Sequence, residues 1–256
     1  MLDQAERDKS IMAALAKGLA VIEVFGADRP KLTIAEVARL ADMERATARR
    51  CLLTLVRLGY AAHDGKFFAL LPRVMRLGHA YLATTPLPAL VQPFLDRLSA
   101  EVGESASVSI LDGTEILYVA RAAQRRVMSI GLGVGSRLPA YCASMGRVLL
   151  AALPAHEAEA LLRRTDLQPL TEHTLTGVPD LMAELARVRA QGHAVVDQEL
   201  EIGLRSVAVP ILRSDGSVAA ALNVGAQANR LSPDDIACRI LPRMTAIQGE
   251  LRALLP

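Results

Sequence analysis

The sequence is poor in the residues that build disulfide frameworks and zinc modules. Only three cysteines occur in 256 residues, Cys51, Cys142 and Cys238, at wide spacing. They form no CxxC pair and no Cys/His ligand pattern, which argues against both kinds of site. The chain starts with the polar segment MLDQAERDKS, which is unlike a signal peptide. We therefore expect a reduced, cytoplasmic location.

Long apolar runs and common catalytic motifs are also missing. No run reaches the length of a membrane span. There is no G-x-S-x-G or H-E-x-x-H motif, and GLGVGSR at 131–137 lacks both the G-x-G-x-x-G spacing and the closing Lys-Ser/Thr of phosphate loops. We expect no membrane partner, no nucleotide or other cofactor, no metal and no catalytic residue.

One acidic pattern leaves a metal site open. Asp197, Glu199 and Glu201 alternate, so a strand would place all three carboxylates on one face. The commoner explanation is an exposed sheet face or loop, and we prefer it. The five histidines are scattered among loops and helix ends, where each is expected to be a surface or packing residue.

The charge is distributed unevenly along a chain long enough for two modest domains. Residues 1–85 hold 13 Lys+Arg against 9 Asp+Glu, and the remainder holds 16 against 18. A small basic part joined to a larger, slightly acidic part indicates an anionic partner for the first.

The N-terminal part has the element order of a winged helix-turn-helix. Apolar residues at helical spacing predict a helix over 10–25. Thr33, with a glutamate three residues later, forms a capping box that starts a short second helix. An arginine-rich third helix is expected over 44–58, and Asp64-Gly65 between two alternating segments predicts a hairpin, the wing.

The third helix carries its cations at its N-terminal end, where the helix dipole is already positive. A recognition helix contacts base edges with its N-terminal residues, so this placement favours double-stranded DNA. The helix offers no aromatic platform for stacking single strands or RNA. The alternative is a solvated face whose arginines only aid solubility. The expected DNA contacts are Thr33, Arg45, Ala46, Thr47, Arg49, Arg50 and, at the tip of the wing, Lys66.

The rest of the chain predicts an α+β domain. A helical stretch opens at Pro72, and the proline-rich segment 84–93 marks the passage into this domain. Strands follow that are mostly linked by hairpins, with one more expected over VMSIGL at 127–132, and helices occur in separate runs. This order indicates an antiparallel sheet covered by helices. We place the winged helix-turn-helix at 1–71, a linker helix at 72–88 and the second domain at 89–256.

Two segments of the second domain could form a small-molecule pocket. AYCASMGR at 140–147 brings small and polar residues to a helix N-terminus, where backbone N–H groups favour an anion. Arg205 precedes a strand, and its planar guanidinium suits a carboxylate. The alternative for Arg205 is an ion pair with Glu201 or Glu199.

Several segments resemble the IclR family of bacterial transcriptional regulators. They are LTIAEVARLADMERATARRCLLTLVRLGYAAHDGKFFAL, GSRLPAYCASMGRVLLAAL and the region from TLTGVPDLMAELARVRA to LNVGAQANRLS. LPAYCASMGRVLLA and VDQELEIGLRSVAVP are most similar to its PcaR/PcaU/PobR branch. The resemblance covers almost the whole chain. It implies a winged helix-turn-helix, a linker helix and a C-terminal effector domain of PAS/GAF-like architecture, assembled as a homodimer or homotetramer.

The resemblance further implies a DNA-binding regulator of aromatic catabolism through the β-ketoadipate pathway. Its partners would be operator DNA, further copies of itself and a small carboxylate effector such as protocatechuate, 4-hydroxybenzoate or β-ketoadipate. Many relatives have Cys and Ser where this chain has Ser206, Asn223 and Gly225, so another carboxylate and an unrelated operon are the alternative. The expected effector contacts are Ala143, Ser144, Met145, Gly146, Leu204, Arg205, Ser206, Asn223 and Gly225.

Two rival functions remain open. An enzyme acting on a small carboxylic acid would need a nucleophile or base with an orienting partner in the pocket, and the sequence shows none that can be named. A protein-interaction module would use the basic helix only as a solvated surface.

Overall fold

The computed structural model describes residues 10–26, 28–84, 86–124 and 132–255. Its contacts divide the chain into two compact units, Met1–Thr85 and Pro86–Pro256. Most of the strand expected over VMSIGL and nearly all of the segment MLDQAERDKS lie outside the described residues. In the described part of the chain, no helix combines the length and apolarity that a membrane crossing requires.

The first unit consists of helices and a small hairpin. Its elements are α1 (Ala13–Glu23), α2 (Ile34–Leu40), α3 (Arg45–Arg57), β1 (Ala61–His63), β2 (Phe68–Leu70), a 3₁₀ turn (Pro72–Val74) and α4 (Met75–Thr84). The capping box at α2 is confirmed, because the Thr33 hydroxyl accepts from Glu36 N–H at 3.3 Å and Glu36 Oε2 accepts from Thr33 N–H at 2.8 Å. The hairpin is also confirmed, with Gly65 and Lys66 at its tip, one residue later than the sequence indicated.

One small core holds this unit together. α3 contributes its apolar stripe, Ala48, Leu52 and Leu55, and Phe68 of β2 is 1% exposed. The core also includes Val21, Leu32, Val37, Ala38 and Ala61. The stripe ends at Leu55, because Leu58 at the C-cap of α3 is exposed.

The second unit contains a six-stranded antiparallel sheet. Its helices are α5 (Leu87–Val102), α6 (Ser144–Ala152), α7 (Ala155–Arg164), α8 (Val178–Gln191), the short α9 (Pro233–Asp235), a π turn (Ile236–Ile240) and α10 (Leu241–Leu254). Its strands are β3 (Ser105–Asp112), β4 (Glu115–Ala122), β5 (Arg137–Pro139), β6 (Ala194–Asp197), β7 (Leu204–Leu212) and β8 (Val218–Gln227). The order across the sheet is β5-β4-β3-β8-β7-β6. The expected α+β architecture is confirmed.

The two faces of this sheet serve different purposes. One face carries Val108, Leu222 and Val209 in one row and packs against α5 and α10. The other face, which we call the inner face, turns toward α6, α7 and α8. On β3 the inner residues are Ser105, Ser107 and Ser109, in strict alternation with the apolar ones. A polar inner face beneath α6 therefore forms the wall of a site.

Candidate DNA-binding surface and ligand cavity

The N-terminal end of α3 presents an exposed cationic surface. Arg45, Ala46, Arg49 and Arg50 are all exposed, while Thr47 is half-buried. None of the three arginines forms an ion pair with a residue that the structure describes. The guanidinium groups therefore remain free to meet an external anion.

Local geometry adds to this positive charge. Glu44 is the N-cap residue of α3, yet its side chain makes no capping hydrogen bond. The first backbone N–H groups of a helix have no partner within the helix, and they attract phosphate. The turn before α3 is closed by Asp42 in a left-handed conformation (φ 48°) and by Met43 N–H, which donates to Ala38 O at 2.9 Å.

The tip of the hairpin carries a further exposed cation. Lys66 is exposed at the tip, with its ammonium 5.0 Å from the centre of the Phe67 ring. Asp64 shapes the tip by accepting from the N–H groups of Phe67 and Lys66, and these bonds lower the pKa of its carboxyl group. Lys66 therefore keeps the wing position that the sequence predicted.

Thr33 has a different role from its neighbours in the expected DNA contact set. Its hydroxyl donates to Glu36 Oε2 at 2.7 Å and accepts from Glu36 N–H, so both functions of the hydroxyl are used by the cap. The carboxylate of Glu36 accepts from Thr33 N–H and from the Thr33 hydroxyl, and these two bonds, the first more than the second, lower the pKa of Glu36. We assign the Thr33 side chain to the start of α2 and not to a base or phosphate.

The second unit contains a small cavity between the inner face of the sheet and the start of α6. Its volume is about 40 Å³, which is room for only a few water molecules. Seven of the nine expected effector residues line it: Ala143, Ser144, Met145, Leu204, Ser206, Asn223 and Gly225. The other lining residues are Ser105, Tyr118, Arg121, Leu132, Leu138, Cys142, Val196 and Leu200.

Arg121 is the cation that the described residues bring to this cavity. It lies at the end of β4, and its Nη1 donates to Ser107 Oγ on β3 at 3.0 Å. Its Nε is buried and has no hydrogen-bond partner among the described residues. A buried guanidinium with an unused donor attracts a carboxylate strongly, because each unsatisfied donor costs free energy.

Polar groups continue from Arg121 across the cavity wall. Asn223 is 8% exposed and its Oδ1 has no hydrogen-bond partner in the described structure. Ser206 of β7 donates to Ser144 Oγ at 2.9 Å, which ties the sheet to the first turn of α6. Ser144 therefore does not cap α6; Ala143 is its N-cap, and no side chain caps the helix.

Two titratable groups in the cavity stay protonated at neutral pH. Burial raises the pKa of Tyr118 to about 12, so its phenol remains a neutral hydroxyl. Burial, followed by the nearby charge of Glu199, raises the pKa of the Cys142 thiol to about 12. A thiol in this state is a poor nucleophile.

Arg205 does not reach the cavity, which corrects its expected role. Its guanidinium pairs with Asp197 Oδ2 at 2.8 Å and donates to the carbonyl oxygens of Ala228 at 3.0 Å and Leu231 at 2.6 Å. Its carboxylate partner is thus Asp197, where the sequence suggested Glu199 or Glu201. Because β6 and β7 pair Asp197 with Arg205 in register, the two side chains meet on the face away from α6.

Gly146 is also absent from the cavity lining. A Cβ at this position would lie 2.1 Å from Ala140 O, so the glycine allows α6 to approach the chain that follows β5. The glycine permits close packing behind the pocket.

The acidic residues that suggested a metal site lie apart. Asp197 ends β6 and pairs with Arg205, whereas Glu199 turns inward to Arg147. Gln198 between them adopts a left-handed conformation (φ 60°), which breaks the alternation. Among the residues the structure describes, no three His, Cys, Asp or Glu side chains gather in a metal-binding group.

Sequence reasoning missed Arg121, Tyr118 and Ser105 as cavity residues. Their signal was present in the alternation of β3 and β4, where serines, Tyr118 and Arg121 interrupt apolar strands. A register shift between Val108 and Ser109 opposite β4 allows Tyr118 and Arg121 to share one face. Such a bulge cannot be read from a simple period of two.

Comparisons with known proteins match both units. Residues 14–65 match the family model "IclR helix-turn-helix domain", and residues 79–246 match "Bacterial transcriptional regulator IclR C-terminal". Over 245 residues the chain is 48% identical to the Pca regulon regulatory protein of Pseudomonas putida, covering 95% of this chain and 84% of that protein.

A second relative and a solved structure have names that refer to hydroxybenzoates. The p-hydroxybenzoate hydroxylase transcriptional activator of Acinetobacter baylyi is 37% identical over 254 residues, which are 97% of this chain and 94% of that protein. The inducer-binding domain of a PobR double mutant from Acinetobacter, in complex with 3-hydroxybenzoic acid, is 33% identical with a TM-score of 0.63. The match covers 66% of this chain and 98% of that one.

Proposed function

The chain belongs to the IclR family of bacterial transcriptional regulators, and we propose that a small aromatic carboxylate in its second unit controls its binding to operator DNA. The regulated genes, in this proposal, serve aromatic catabolism. The protein itself carries out no reaction.

The observation that carries the proposal is Arg121 in the cavity wall. Its unpartnered Nε and the uncapped first turn of α6 both favour a negative group in the same small space. Four half-buried leucines, Leu132, Leu138, Leu200 and Leu204, line the cavity as well. A ring with one carboxylate suits this combination of polar wall and apolar lining.

The choice of aromatic acid draws on the relatives. The PobR domain is named for its complex with 3-hydroxybenzoic acid, and the Acinetobacter activator for p-hydroxybenzoate hydroxylase. Asn223 supplies an amide with an unpaired Oδ1, which can accept from a ring hydroxyl. We therefore place 4-hydroxybenzoate and protocatechuate first, with β-ketoadipate as the dicarboxylate alternative.

The DNA-binding half of the proposal uses the exposed end of α3. Arg45, Arg49 and Arg50, with Ala46 and Thr47, are proposed to enter the major groove, and Lys66 to contact the backbone from the wing. Nothing in the described structure neutralises these arginines, and this supports a polyanion as their partner.

We also propose self-association into dimers or tetramers, which would let two recognition helices read two half-sites. Leu15 and Leu19, four residues apart on α1, are exposed, and so are Ile11 and Met12 just before the helix, so an apolar patch is uncovered in the described structure. Sedimentation at several concentrations tests this part independently.

The main experiment tests binding of the acid and its effect on DNA binding together. Calorimetry with 4-hydroxybenzoate, protocatechuate and β-ketoadipate should give saturable binding for at least one acid, and catechol, which lacks the carboxylate, should not bind. A gel shift on DNA upstream of the protein's own gene should then change when that acid is added. Turnover of the acid, or DNA binding unaffected by every acid that binds, would contradict the proposal.

A further inference from the structure

Several segments that are neither strand nor helix border the cavity, and one of them is held in place by buried hydrogen bonds and an ion pair. The connection 198–203 joins β6 to β7, and Leu200 within it and Leu204 directly after it both line the cavity. Its outer side is uncovered, because Ile202 is 58% exposed. We call this connection the strap.

The strap is fixed by a buried ion pair. Glu199 is 7% exposed, and its Oε2 accepts from Arg147 Nη2 at 2.5 Å. Arg147 lies on α6, one turn beyond Ser144, and is 2% exposed. The pair therefore connects the helical wall of the cavity with the strap.

Arg147 is itself held rigidly. Its Nε donates to Tyr141 O at 3.0 Å, and its Nη1 lies 3.7 Å from Glu184 Oε1 on α8. The guanidinium is thus oriented by groups that do not belong to the strap. If Glu199 leaves, Arg147 keeps its position and one of its two carboxylate partners.

A second loop lies against the same glutamate. The Thr174 hydroxyl donates to Glu199 O at 2.6 Å, and Leu175 N–H donates to Glu199 Oε2 at 3.1 Å. The Thr171 hydroxyl donates to Gln198 O at 2.7 Å. Glu199 is therefore the point where strap, loop and α6 meet.

The two ends of the strap have the backbone of a hinge. Gln198 has φ 60° and Gly203 has φ 84°, and Gly203 N–H donates to Gln198 Oε1 at 3.0 Å. A left-handed glutamine is strained and persists only where surrounding bonds hold it.

We propose that Glu199 is a latch, a positioning residue that governs exchange of the effector by holding the strap against Arg147. Buried ion pairs add little net stability compared with apolar replacements, yet they hold one arrangement strongly, because separating the charges is costly. Such a pair would return the strap to the same position each time it opens and closes over the cavity. The proposal rests on the proposed effector cavity and concerns how that cavity is entered.

The test compares two glutamates that share one arginine. Glu199→Gln removes the charge on the strap, whereas Glu184→Gln removes the charge on α8 and leaves the strap intact. With 4-hydroxybenzoate in stopped-flow binding, Glu199→Gln should raise both the association and the dissociation rate at least about tenfold while Kd changes much less. Glu184→Gln should leave both rates near those of the unaltered protein.

A second variant and a readout without ligand keep the outcomes distinct. Thr174→Val removes one bond to the Glu199 carbonyl and no charge, and it should accelerate exchange about threefold. Hydrogen exchange at the Gly203, Leu204 and Leu175 amides should quicken in Glu199→Gln while the core strands keep their protection. If 4-hydroxybenzoate does not bind the unaltered protein, it is not the effector, and the proposed function loses that ligand. Hydrogen exchange in Glu199→Gln, which needs no ligand, still tests whether Glu199 holds the strap. The latch proposal would be overturned if Glu199→Gln changed neither the ligand-binding rates nor hydrogen exchange, or if Glu184→Gln had equal effects.

Discussion

Arg121 and Asn223 stand on either side of Ser107 in one row of the sheet, and each keeps a buried polar atom without a partner in the described structure. Ser107 pairs with Arg121 on β4 and with Asn223 on β8. Unpaired buried donors and acceptors destabilise a fold, so they are retained where a ligand or water completes them. This row is therefore the centre of the proposed effector site.

Replacing Arg121 tests its role as carboxylate anchor. Arg121→Met keeps much of the length of the side chain but removes the charge and the donors. Affinity for 4-hydroxybenzoate should fall by about 10- to 100-fold, the range for removal of a charge-assisted hydrogen bond. Calorimetry measures this directly.

Arg205 offers the matched control for that experiment. It lies on the neighbouring part of the sheet but is committed to Asp197 and two carbonyl groups. Arg205→Lys should lower the free energy of unfolding and leave affinity for the acid within about twofold. A larger loss of affinity in Arg205→Lys than in Arg121→Met would reverse the two assignments.

The exposed arginines of α3 predict how operator binding depends on salt concentration. Arg49→Ala/Arg50→Ala should weaken operator binding and flatten the dependence of log K on log salt by about 0.9 for each phosphate that the variant no longer neutralises. Arg57→Ala is the control, since Arg57 is exposed on the same helix but at its C-terminal end. Equal slopes for the double variant and the unaltered protein would remove the assignment of α3.

The close approach of α6 to Ala140 predicts the effect of adding a side chain at Gly146. Gly146→Ala places a Cβ against Ala140 O, and backbone cannot yield as a side chain does, so the free energy of unfolding should fall by about 1–3 kcal/mol or more. Gly249→Ala in α10 has open space around it and should gain about 0.5–1 kcal/mol. Urea denaturation of both variants checks the contrast; a neutral Gly146→Ala would show that α6 can shift.

The Asp197–Arg205 pair predicts a pH dependence. The hydrogen bond from Arg205 lowers the pKa of Asp197 below its unfolded value of about 3.9. Its stabilisation is therefore present above about pH 4 and is lost as pH falls through the lower, folded pKa. Asp197→Asn should be less stable than the unaltered protein at pH 7, by under about 1 kcal/mol for a half-exposed carboxylate, and the difference should shrink by about pH 3. If Asp197→Asn lowered the free energy of unfolding equally at pH 7 and pH 3, the ion pair with Arg205 would not be the source of the stabilisation.

The N-terminal unit could be predicted well because its signals are local. The capping box at Thr33, the apolar stripe of α3 and the hairpin each depend on residues within a few positions of one another. The exposed arginines of α3 followed from the same helical spacing. Thr33 differs from these arginines, because its hydroxyl is engaged in the cap of α2.

The cavity was predicted less completely because it depends on distant residues. The start of α6, Ser206 and Asn223 were expected from resemblance, and they line it. Arg205 lies outside the lining and pairs with a carboxylate, the second of its two expected roles; that the partner is Asp197 depends on the register between β6 and β7. Arg121 was missed because a bulge decides which face it occupies. Gly146 lies outside the lining, and its tight approach to Ala140 is a tertiary contact that the sequence does not indicate.

The alternation along β3 has a consequence for how such regulators diversify. Ser105, Ser107 and Ser109 face the cavity side of the sheet, while Ala106 and Val108 on the same strand anchor it to α5. A substitution at Ser105, which lines the cavity, or at Ser107, which holds Arg121, can change the chemistry of the cavity wall while Ala106 and Val108 keep the scaffold intact. One strand thus lets a lineage acquire responses to new inducers without risking collapse of the domain.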